Sequence, residues 1–339
     1  MRHTKLVLSG VAAGLLAGCA TAPEGLPPVP VYASGETVPV GTANEDAADD
    51  PAIWRNAADP AASLIVATDK KAGLYVYGLD GQIRSFVSAG EVNNVDLVDL
   101  DELGAIVVAS DRNDPLNAAM QVYRLDPQEA ELELLGTVPA GQGEGYGLCL
   151  WHAPDGLRAY SVLKNGVIEE YLIAFGPGVE AVPLLTRSVP SQPEGCVVDA
   201  RDGTLYIGEE NGGIWKFEEG GAAGELVAPI DNRYLVADVE GLAIAPSGAN
   251  GGYVIASSQG DNAYAAFRLP EMRPVGRFRI AEGEFGSAEE TDGIDLFLGD
   301  FGPDYPGGLF VVQDGQNGAG AQNFKLVSWD QIRSAIGID

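Results

Sequence analysis

From Ala48 to Trp329 the chain repeats one pattern: a short apolar run, often alternating with polar residues, then a break at glycine or aspartate, then another run. Runs of this length between turn residues predict β-strands, and no amphipathic helices separate them as a parallel α/β fold would require. A longer repeat overlies this pattern. A polar residue, often followed by glycine, opens an apolar strand at Asp50-Pro-Ala-Ile-Trp54, Asn94-Val-Asp-Leu97, Tyr146-Gly-Leu-Cys149, Glu194-Gly-Cys-Val-Val198, Glu240-Gly-Leu-Ala-Ile244 and Asp292-Gly-Ile-Asp-Leu296, at spacings of 44, 52, 48, 46 and 52 residues. A second strand follows each (LIVATDK, AIVVASDR, AYSVLK, LYIGEE, YVIASSQ, LFVVQD), then a third (GLYVYGL, MQVYRL, VIEEYLI, GIWKFE, YAAFRL, NFKLVSW). Five units also have a fourth. Four short strands per unit of roughly 40 to 50 residues is propeller spacing. The sixth unit runs out of chain before its fourth strand, and the segment near Glu36 to Gly41 is available to supply it. The expectation is an all-β, six-bladed β-propeller over residues 41–335, with its ring closed by an N-terminal strand.

In a propeller the first strands surround the central channel, so equivalent positions form rings. Asp50, Asn94, Tyr146, Glu194, Glu240 and Asp292 head the first strands; Lys70, Arg112, Lys164, Glu210, Gln259 and Asp314 end the second. Three consecutive units thus offer cations and the next three offer oxygen acceptors. A mouth polarised in this way can grip an anion on one side and a hard metal ion on the other, although polar residues also start strands simply because they suit turns.

Composition narrows the chemistry. The 339 residues carry 49 acidic against 20 basic side chains, a net charge of −29, which argues against nucleic acid as a partner. Two histidines, His3 and His152, put a multi-histidine zinc site out of reach. Carboxylates and amides without histidine or cysteine favour hard cations, Ca²⁺ above all, and the candidate ligands are Asp50, Asp96, Glu194, Glu209, Glu210, Glu240, Gln259, Asp292, Asp295 and Asp314. Several such ions are expected, since converging carboxylates otherwise repel one another. With Lys70, Arg112 and Lys164 in register, the metal site suits a phosphate ester, and the expected attacker is a water activated by metal and a carboxylate.

The N-terminus is a separate unit. Met1 to Lys5 is basic, Leu6 to Leu16 is apolar, and Leu16-Ala17-Gly18-Cys19 follows, which reads as a signal peptide over residues 1–18 and not a membrane span. The ending resembles a bacterial lipobox in which Cys19 is lipidated; an ordinary signal peptide is the alternative. Export follows in either case, with lipid anchoring to the outer membrane favoured over free periplasmic or extracellular protein. Residues 19–40 are proline-rich and read as a tether. A monomer is expected.

The motifs DAADDPAIW (46–54), TDKKAGLYVY (68–77), NNVD (93–96), ASDR (109–112), QPEGCVVD (192–199), LYIGEE (205–210), DVEGL (238–242), ASSQGDNAY (256–264), TDGID (291–295) and NFKLVSW (323–329) resemble, in order and over residues 41–330, the bacterial β-propeller phytases. The resemblance implies Ca²⁺-dependent hydrolysis of phosphate monoesters of phytate, met as its calcium complex. It places the scissile phosphate on Lys70 and Arg112, with Tyr146 and Lys164 in the same cleft. Glu194, Glu210, Glu240 and Asp292 would hold catalytic calcium, with Glu209 alongside. Asp50, Asn94, Asp96 and the loop around Asp314 would hold stabilising calcium, and Lys71 a neighbouring phosphate. Gly143-Glu-Gly-Tyr146 is richer in glycine than the family pattern, and the pair Cys149 and Cys196 is absent from the familiar Gram-positive members. The two cysteines have opposite parity on consecutive first strands, so they lie on facing sides of neighbouring blades, as a disulfide or as two buried thiols. A calcium-dependent lactonase-type propeller and a non-catalytic binding module are the alternatives.

Overall fold

The computed structural model describes residues 24–100, 102–318 and 320–339. Their strands form six sheets, each built on four antiparallel strands with a first strand innermost. The first strands are Ala48–Trp54, Val92–Leu100, Gly145–Ala153, Pro193–Asp199, Val239–Ser247 and Ile294–Leu298. Six apolar clusters fill the spaces between consecutive blades; the last joins Tyr77 and Ile53 of blade one to Phe324 and Leu309 of blade six. Each blade therefore buries both faces against its neighbours, and closing the ring removes the exposed sheet faces a single unit would present.

Closure comes from the N-terminal side. Gly35–Glu36 pairs antiparallel with Asn323–Ser328, and the Thr37 and Val40 amides extend the contact to the carbonyls of Phe324 and Gln322 at 2.9 and 3.0 Å. A further strand, Val29–Tyr32, lies parallel to Arg273–Ala281 as a fifth strand of blade five. Residues 29–36 thus belong to the propeller and not to a tether reaching residue 40. Pro30 is tolerated because an outermost strand does not need every amide. The signal peptide, Cys19 and residues 19–23 lie outside the described residues. At the other end, helix Trp329–Ile336 packs Trp329 and Ile332 into the seam between blades five and six.

A second device joins blades three and four. Cys149 and Cys196 form a disulfide between their inner strands, with Cα atoms 5.4 Å apart across 47 residues of sequence. Loop closure of that length constrains the unfolded chain by about 4 kcal/mol in the entropic account.

Candidate active site

The inner strand of every blade from one to five carries a bulge where it meets the second strand. Register shifts fall between Ala48 and Pro51, Val92 and Val95, Gly145 and Leu148, Pro193 and Cys196, and Val239 and Leu242. Two residues leave the ladder at each shift. The first is aimed at the channel mouth; the second packs toward the next blade. Glycine suits the second place because the neighbouring bulge is so near: a Cβ on Gly147 would stand 2.0 Å from the Glu194 carbonyl oxygen, and one on Gly195 2.1 Å from that of Glu240.

This geometry corrects the sequence register at three positions. The mouth ring is Asp49, Asn93, Tyr146, Glu194, Glu240 and Asp292; Asp50 and Asn94 are the second residues of their bulges. In the second ring, Gly315 stands where Lys70, Arg112, Lys164, Glu210 and Gln259 stand in the other blades, because Asp314 is the counterpart of Asp69. A bulge displaces two residues together, and spacing alone does not say which of them points where.

On the acidic side of the mouth, the Lys70 ammonium meets Asp46, Asp49 and Asp292 at 2.8, 2.9 and 2.8 Å. Burial alone would push this lysine down, but the Asp49, Asp292 and Asp46 carboxylates hold it well above its ordinary value. Gln259 donates to the other Asp292 oxygen at 2.6 Å. Fully buried Asn93 donates to Asp49 at 2.9 Å and to Glu194 at 2.7 Å. One oxygen from each of Glu194, Glu210 and Glu240 lies within 4.8 Å of the others. Burial raises all three carboxyl groups; mutual repulsion adds to this at Glu240, Asp49 adds to it at Glu194, and Asp238 adds to it at Glu210.

On the basic side, Glu144 Oε1 stands 3.0 Å from Lys164 Nζ and 3.7 Å from Arg112 Nη1. Lys164 Nζ also lies 4.6 Å above the Tyr146 ring. The Tyr146 hydroxyl faces Glu194 and Glu210, and burial together with the Glu194 and Glu240 charges keeps it protonated. Tyr146 is therefore the wedge between the cations and the carboxylates. Lys71 is exposed at the rim, and its backbone amide bonds Asp69.

Other expected ligands are engaged elsewhere. Within the channel, Asp50 accepts the Val95 amide at 3.0 Å, Asp96 the Leu150 amide at 2.7 Å and Asp295 the Ile53 amide at 2.8 Å, so each carboxylate fastens one blade to the next. Burial lifts Asp96 to about 7, with help from Asp295, and lifts Asp295 to about 6; burial and Asp49 lift Asp50 as well. Asn94 Oδ1 accepts from Asn93 at 2.9 Å. Glu209 accepts from Trp215 at 2.8 Å and from Ser191, apart from the mouth cluster. Asp314 accepts the Glu289 and Gln316 amides and lies 3.2 Å from the fully buried Lys325 ammonium, which also pairs with Glu36. A lysine already supplies the positive charge there, tying the closing strand to blade six.

The residues that sequence reasoning missed are Asp46, Asp49, Asn93, Glu144 and Asp238. Four of them lie within two residues of a residue singled out from the repeats; Asp46 heads the DAADDPAIW motif.

The mouth carboxylates fit a hard cation. Glu194, Glu210 and Glu240 offer only anionic oxygen, the donor set that calcium takes, and Glu240 Oε2 is buried without a hydrogen-bond partner.

Comparison with known proteins identifies the family. The family model for phytases matches residues 3–339. The 3-phytase of Bacillus subtilis (strain 168) is 40% identical over 330 residues, covering 91% of this chain and 85% of that protein. Among solved structures, a chain of the crystal structure of the Mitotic Checkpoint Complex matches with a TM-score of 0.52 at 13% identity, over 98% of this chain and 86% of the other, a likeness of fold alone. On the match to the family model along nearly its whole length, this chain belongs to the phytase family.

Proposed function

We propose that this protein hydrolyses phosphate monoesters of phytate with the help of calcium, releasing inorganic phosphate. The observation that carries this reading is the juxtaposition, across the Tyr146 ring, of the Arg112 and Lys164 cations with the Glu194, Glu210 and Glu240 carboxylates. Arg112 presents a planar fork suited to two phosphoryl oxygens, and Lys164 a point charge. Glu194, Glu210 and Glu240 would hold the calcium, which when bound would supply Lewis acidity and lower the pKa of a water. Lys70 is saturated by three carboxylates, so its part is to hold Asp49 and Asp292 in place beside the cluster. The Tyr146 hydroxyl remains a donor throughout. His152 is exposed on the inner strand of blade three, so the base within reach of the mouth is a carboxylate oxygen of the cluster. A cleft of about 720 Å³ opens beside Asp292 and Gln259, lined by Asn44, Glu290 and Gln322 among others; it adjoins the acidic side of the mouth and is lined by neither Arg112 nor Lys164.

Phosphate release from calcium phytate tests the reading: it should vanish with a chelator and with Arg112→Ala, and activity that survives both overturns it. From the first nineteen residues we also infer export and lipid attachment at Cys19, which incorporation of labelled palmitate by wild type but not by Cys19→Ala would support.

A further inference from the structure

The basic half of the mouth already holds an anion. Glu144 Oε1 lies between Lys164 Nζ, at 3.0 Å, and Arg112 Nη1, at 3.7 Å, and neither cation has another ion-pair partner among the described residues. The three side chains differ in freedom: Arg112 is 12% exposed, whereas Lys164 and Glu144 are each 32% exposed. The Glu144 carbonyl accepts the Lys164 amide at 3.2 Å, so the backbone is fixed where the carboxylate has room to turn outward. A carboxylate and a phosphoryl group present the same kind of oxygen to a guanidinium and an ammonium, and both cannot occupy one subsite.

We propose that Glu144 is a resident competitor in the phosphate subsite: it neutralises Arg112 and Lys164 in the free protein and must be displaced by the substrate phosphate, which makes it a specificity-determining residue. This rests on the reading of the mouth as a phosphate site. The charge balance gives the selectivity. Two cations with Glu144 carry one net positive charge; a monoanion that displaces Glu144 restores the same balance and gains little. A phosphate dianion neutralises both cations, so it displaces the carboxylate where a carboxylic acid or a singly charged ester does not.

The test is titration of the calcium-loaded protein with inorganic phosphate by calorimetry, set beside phytate kinetics, for wild type, Glu144→Gln and Glu144→Asp. Removing the competing charge should tighten phosphate binding by about threefold to fivefold, the scale of a partly exposed ion pair, and lower KM for phytate more than it changes kcat. Acetate should bind measurably better to Glu144→Gln than to wild type, and Glu144→Asp, which keeps the charge, should return toward wild-type affinity. Thermal melting of each variant reports folding, and if Glu144→Gln does not fold, the acetate and phosphate affinities of Glu144→Ala against wild type decide. Phosphate binding to Glu144→Gln that is unchanged or weaker overturns the proposal. If wild type binds phosphate in the predicted order yet leaves phytate intact, the catalytic reading falls and the competitor role stands; turnover of phytate with phosphate binding indifferent to residue 144 gives the reverse.

Discussion

Asp49 and Asp50 are neighbours in one bulge, both buried and both carboxylates, and they serve different ends. Asp49 turns to the mouth, where it meets the Lys70 ammonium and the Asn93 amide. Asp50 turns into the channel, where it accepts the amide of Val95 from the next blade. The same division runs through the molecule. At the mouth, Glu194, Glu210 and Glu240 face one another without a backbone amide donor among the described residues, and burial raises each of them. Channel carboxylates such as Asp96 and Asp295 each accept two backbone amides and act as staples. The supply of hydrogen-bond donors decides which carboxylates are left over for a cation.

The largest expected effect falls on the mouth alone. Chelation should abolish phosphate release, and Glu194→Gln should lower kcat/KM by about 100-fold or more, the order seen when one electrostatic group is removed from an active site. Its melting temperature should hold or rise, since a like charge has been removed; a variant that unfolds while its folded fraction remains fully active would erase the distinction between mouth and channel. The channel should show the converse. Asp295→Asn loses an ideal acceptor for the Ile53 and Leu296 amides, so unfolding by denaturant should show a loss of about 1–3 kcal/mol with turnover near wild type. The disulfide beside the channel belongs with the staples: the Cys149→Ala, Cys196→Ala double variant should lose up to about 4 kcal/mol of stability and keep its KM.

A subtler contrast lies in pH. Asp96 and Asp295 sit at about 7 and about 6 in the folded protein, above their ordinary value, so the folded chain binds protons that the unfolded chain has released. Metal-free protein should therefore lose stability as pH rises from about 5 to about 7.5, and lowered groups such as Asp80 and Asp231 do not offset this because they are ionised in both states across that range. Asp96→Asn should flatten the melting curve plotted against pH, and a slope unaffected by it would move the titration to the mouth. Smallest is Lys71→Ala: the side chain is exposed at the rim, so only KM should shift, by about twofold to threefold.

Much of this was legible in the chain. The six units show because each blade must bury the same two faces, and that requirement prints a period on the sequence. The cation and carboxylate halves of the mouth were legible for the same reason, as were Tyr146, Lys164, Glu194, Glu210 and Glu240. Illegible were the choices within a bulge, which separate Asp49 from Asp50 and Asn93 from Asn94, because spacing is blind to a two-residue excursion from the ladder. Residues 29–36 read as a proline-rich tether because an outer strand needs little apolar character of its own. Glu144 was hidden among glycines, and its role depends on Arg112, which lies in another blade.

The sequence by itself determined the number of blades, their order and the residue types gathered at the mouth, since a repeat places equivalent positions in equivalent surroundings. Only the tertiary structure decided which carboxylates were satisfied. Backbone amides from the adjoining blade satisfy Asp50, Asp96 and Asp295, and the Lys325 ammonium satisfies Asp314. Glu194, Glu210 and Glu240 are left facing each other: Asn93 and Gln192 donate side-chain amides to Glu194 and Glu210, but no backbone amide among the described residues bonds the three carboxylates, and that concentration of buried negative charge is what a hard cation would neutralise.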